Sequence, residues 1–76
     1  MSGAAVGRVL WLAADDTNFR RRLLQDLGSS LAEEGFVLTD AEMATMRECH
    51  ASLQNLDDRR VSERIASMAR GYPRSR

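Results

Sequence analysis

Polar cap signals at Asp16, Asp26, Thr39 and the Asp57-Asp58 pair divide this chain into short stretches, and apolar residues recur at helical spacing within them. Such side chains mark helix starts because the first turn of a helix has backbone N–H groups with no partner of their own. Strand signals are nearly missing, and the only extended-looking piece is Phe36-Val37-Leu38, between a glycine and a threonine. The expected fold class is therefore all-α: a small bundle of three to five short helices over residues 4–71, with a flexible C-terminal tail over residues 72–76.

The periodicity places the faces. From Ala4 to Ala14, Val6, Val9, Leu10 and Ala13 repeat at i, i+3, i+4 and i+7 and share one side of a first helix. With Asp16 as cap, a second helix carries Phe19, Leu23, Leu24 and Leu27 inward and leaves Arg20, Arg21 and Arg22 mostly to water. Gly28 costs about 1 kcal/mol inside a helix, so Asp26 can instead open a separate short helix from Leu27 to Glu34 that closes at Gly35. Thr39-Asp40-Ala41-Glu42 has the spacing of a capping box, and the helix it starts shows Met43, Met46, Cys49 and Leu53 on one face. Asn55 to Asp58 break that helix. Asp57 or Asp58 caps a last one, which presents Val61, Ile65, Met68 and Ala69 and ends at Gly71 and Pro73.

Size and chemistry exclude much. A chain of 76 residues makes one domain that buries only about 60% of its unfolded surface. Its 11 arginines balance 11 acids, so the whole molecule has no electrostatic bias toward nucleic acid or acidic lipid. One cysteine and one histidine supply neither a disulfide nor a metal site, and no cofactor is called for. Cys49 and His50 are adjacent, and neighbouring helix positions point about 100° apart, so a nucleophile-and-base pair is not expected; a core cysteine beside a surface histidine is. The longest apolar run, Val9 to Ala14, is far short of the roughly 20 residues of a membrane span. Asp15 and Asp16 follow it where a signal peptide has small residues, so a cytoplasmic protein is expected.

Two features bear on partners. Residues 58–76 hold six arginines against Asp58 and Glu63, yet no Asn or Gln lies between Val61 and Arg70 to read base edges, and direct DNA binding is not expected. Trp11 falls off the main face of the first helix, which is apolar almost all round. It serves either as a core anchor or as a contact for another protein.

The stretch from Val9 to Arg47 runs apolar helix, Asp16-x-x-Phe19-Arg20, Leu23-Leu24-x-Asp26, Leu31-Ala32-x-x-Gly35-Phe36-x-Leu38-Thr39-x-x-Glu42. This order resembles the leader region of actinobacterial ribosomally synthesised and post-translationally modified peptide precursors, in the group that includes nitrile-hydratase-like leader peptides. It covers about half the chain. The resemblance implies that modifying enzymes hold a helical leader while chemistry occurs on the C-terminal side. Leu27 stands where such leaders often have a proline. The end, Gly71 to Arg76, has no thiol and a single serine, which departs from a usual modifiable core. It suits the scaffold peptides of peptide aminoacyl-tRNA ligases, whose C-terminus is extended with new amino acids.

On that basis Trp11, Phe19, Leu23, Leu24, Leu31, Phe36 and Leu38 are the expected partner-binding residues, as core or as enzyme-facing surface. Arg76 is the expected modification site, and no catalytic residue is assigned. The partners implied are modifying enzymes such as a peptide aminoacyl-tRNA ligase, with tRNA reached only through the enzyme and no membrane contact. The competing class is a small helical adaptor or regulatory subunit. A DNA-binding regulator comes third.

Overall fold

The computed structural model describes residues 4–73, which form five helices. They are α1 (Ala4–Asp15), α2 (Thr17–Gln25), α3 (Leu27–Glu33), α4 (Asp40–Leu53) and α5 (Asp58–Ala69). No strand occurs among the described residues, and Phe36 to Thr39 is an irregular connection. The radius of gyration, 11.2 Å, equals the roughly 11 Å of a folded domain of this length.

Each start is capped as its residue type dictates. Asp16 accepts from Phe19 N–H at 3.1 Å and Asp26 from Ser29 N–H at 3.0 Å. Thr39 and Glu42 form the complete capping box, at 3.1 and 2.8 Å. Of the two adjacent acids before α5, Asp57 is the cap, accepting from Arg60 N–H at 2.9 Å, and Asp58 is the first helical residue. Asp26 also ends α2, its own N–H donating to Arg22 C=O, so one residue closes a helix and opens the next. At the end of α3, Gly35 N–H reaches Ala32 C=O and Phe36 N–H reaches Leu31 C=O. That terminating loop needs the left-handed φ of 81° at Gly35, which a glycine adopts without steric cost.

Helix α1 is the hub, packed against α5 most extensively and also against α2 and α4, while α3 rests on α2. Val6, Val9, Leu10 and Ala13 meet Phe19, Leu23 and Leu31, together with Met46, Leu53, Val61, Ile65 and Ala69, in one core. Removing this apolar surface from water is the main stabilising term, about 25 cal/mol per Å². Met43, Cys49 and Met68 sit at its edge, half-buried.

Two expectations need correction. Arg20 does not point to water: it is 7% exposed. Its guanidinium donates to Ala13 C=O at 2.8 Å, to Ala14 C=O at 3.4 Å and to Thr17 Oγ1 at 3.2 Å. A single residue, Asp16, joins α1 to α2, and the sharp turn brings Arg20 back over the C-terminal carbonyls of α1. A fixed cation there satisfies orphan acceptors and offsets the negative helix end. Arg21 and Arg22 are more open, pairing with Asp58 at 3.7 Å and with Glu33 and Glu34 at 2.8 and 3.2 Å. The second correction concerns Tyr72, assigned above to the loose tail, which is half-buried against the core.

Arg20→Met retains the stem but leaves the Ala13 carbonyl buried without its donor. Urea unfolding should show a loss of about 1–3 kcal/mol, with unchanged m-value. Arg20→Lys should recover only part of it, because one ammonium cannot span the three acceptors. At Asp26 the two hydrogen bonds from Ser29, backbone first and then hydroxyl, hold the carboxyl below its ordinary value. A depressed folded value contributes stability above the unfolded value, about 3.9, which is lost as pH falls through the folded one. The stability gap between the wild type and Asp26→Ala should therefore be constant above about pH 5 and narrow in more acidic solution.

Candidate recognition surface and anchored arm

The seven expected partner-binding residues divide by burial. Phe19, Leu23 and Leu31 are 0%, 3% and 2% exposed, so they hold the fold and are not an enzyme-facing surface. Trp11, Leu24, Phe36 and Leu38 are half-buried and keep some surface. The chain brings Phe19 and Phe36 together with ring centroids 6.2 Å apart and planes tilted by 48°, and Arg22 lies 5.8 Å over the Phe19 ring. This lid fixes the start of the loop between α3 and α4, whose next residue, Val37, is 89% exposed. Val37 was not among the expected site residues. Its signal was its place in a short apolar run with no helical partner position.

Leu23 and Leu24 also face the seam between α2 and α4, beside Leu27, Met46, Cys49 and His50. The space enclosed there is about 10 Å³, close to the volume of one water probe, so this is a seam between helices and not a ligand cavity. His50 is not a free surface side chain as expected. Its Nε2 lies 3.0 Å from Leu24 C=O, where a ring nitrogen serves an unpaired carbonyl at the end of α2. Burial, with the Glu48 charge adding to it, pushes the Cys49 thiol above its ordinary value. That is the opposite of an activated thiolate. Among the described residues no group of three or more potential metal ligands occurs, and no helix is long and apolar enough to cross a membrane.

Trp11 has a different role from the other six. Its indole Nε1 donates to Tyr72 C=O at 3.1 Å, across 61 residues. The Tyr72 side chain lies directly over Gly7: a Cβ built on that glycine would sit 2.9 Å from Tyr72 Cβ and 3.1 Å from Cγ. A glycine in mid-helix costs stability, and here it opens the seat for an aromatic ring. Buried Gly7 and the half-buried Trp11 and Tyr72 thus fix the point at which the chain leaves α5. Arg76, the expected modification site, lies outside the described residues.

Comparison with protein-family models, with curated proteins and with solved structures gives no match for this chain.

Gly7→Ala should unseat Tyr72 while α1 stays helical. The emission of the single tryptophan should shift, and energy transfer to it from the single tyrosine should fall. Trypsin should cleave after Arg70 about fivefold faster, the equivalent of about 1 kcal/mol of lost anchoring. Unchanged fluorescence and cleavage would show that the ring does not need this seat.

Proposed function

We propose that this chain is a handle and substrate: a ribosomally made precursor or scaffold peptide whose helical domain is bound by modifying enzymes, while the chemistry falls on the arm after Pro73. In this reading Arg76 accepts an amino acid from a tRNA-dependent ligase, and tRNA is reached only through that enzyme. The observation that supports it best is the anchoring of Tyr72 by Trp11 and Gly7. An enzyme gripping the domain receives the arm from a defined point, at a small ordering cost. A preformed recognition domain avoids much of the entropy lost when a disordered peptide binds. Tethering then raises the effective concentration of the arm at an active site. The resemblance of Val9 to Arg47 to leader peptides points the same way.

The exposed Val37 beside half-buried Phe36 and Leu38 favours a second reading, a helical adaptor whose loop is covered by a permanent partner. Mass spectrometry of the protein recovered from its own cells separates the two. Mass added at Arg76, or residues removed from the arm, is the expected result. An unaltered chain that co-purifies in stoichiometric amount with another protein would replace the first reading with the second.

A further inference from the structure

Helix α5 carries a charge arrangement that the core does not use. Its two acids are already engaged: Asp58 with Arg21 at 3.7 Å, and Glu63 with Arg59 at 3.6 Å. Arg60 and Arg64 have no acidic partner among the described residues. Four positions apart, they lie on one face of the helix. Together with Leu56, Glu63 and Ser67 they line an open groove of about 340 Å³. Arg60 also stands in the first turn of α5, three residues after the Asp57 cap, where the positive helix end disfavours a cation. A residue that breaks a local rule with no compensating contact among the described residues points to a contact with another molecule.

We propose that this groove is a docking site for a carboxylate-bearing peptide segment of a partner protein. The two guanidinium forks match carboxylates in geometry, and half-buried Leu56 offers an adjacent aliphatic contact. The volume suits a few side chains, at the small end of the roughly 300–1,000 Å³ of ligand-sized sites. A nucleic-acid strand fits less well. No aromatic side chain lines it to stack a base, whereas Leu56 gives an aliphatic contact that a peptide side chain can meet. This surface is independent of whether the C-terminal arm is modified.

Fluorescence anisotropy of the full chain tests it with two probes: a short labelled peptide of glutamates around a central leucine, and a labelled single-stranded oligothymidylate of equal charge. The peptide should bind, and Arg60→Gln with Arg64→Gln should weaken it by about tenfold or more. Arg8→Gln with Arg47→Gln, the same charge loss at exposed positions on α1 and α4, should leave it within about twofold. Helical circular dichroism should match the wild type in both variants. Absence of peptide binding, equal weakening by the two double variants, or tighter binding of the oligothymidylate at the Arg60 and Arg64 groove would each overturn the proposal.

Discussion

Helix α1 is apolar on most of its circumference, and every other constraint in this fold follows from the need to cover it. Ala5, Val6, Gly7, Val9, Leu10 and Ala13 are buried, and Trp11, Leu12 and Ala14 are half-buried. No single amphipathic helix has a stripe wide enough to cover such a surface. Helices α2, α4 and α5 therefore each lay one apolar face on α1, and α3 is left to cover α2. A domain of this size has little other apolar surface with which to stabilise itself. Most of its large apolar side chains are spent inside, and few remain to form a contact surface.

The local signals were readable because they act over three or four residues. The caps at Asp16, Asp26 and Thr39 and the stop at Gly35 depend only on backbone groups nearby, and the structure has each in its expected role. The faces of α1, α4 and α5 were legible for the same reason: helical spacing alone sorts inner from outer positions. What escaped sequence reasoning depends on distant partners. Arg20 looks like one of three solvated arginines until the turn at Asp16 lays it across the end of α1. Nothing local distinguishes it from Arg21.

The candidate site shows the same division more sharply. Six of the seven expected partner-binding residues rest on the leader-like order of apolar positions, and an apolar position alone does not separate core from interface; Phe19, Leu23 and Leu31 lie in the core. Trp11 was suspected of a second role because it fell off the main face. Its actual partner, the backbone of Tyr72, lies 61 residues away and leaves no trace in local pattern. Gly7 reads as a weak point in a helix until the ring above it is seen. The arginines of α5 were visible as a charge excess, but which of them are already neutralised depends on Arg21 reaching Asp58 from another helix.

Asp26 serves two helices at once, as the last N–H donor of α2 and the side-chain acceptor of α3. With seven residues, α3 is far too short to persist on its own. Fraying at the end of α2 would withdraw the cap from α3, and unravelling of α3 would leave the α2 terminus unsupported. The shared residue couples the two segments, so they should lose structure together, and a residue inserted at the joint would part the α2 terminus from the α3 cap.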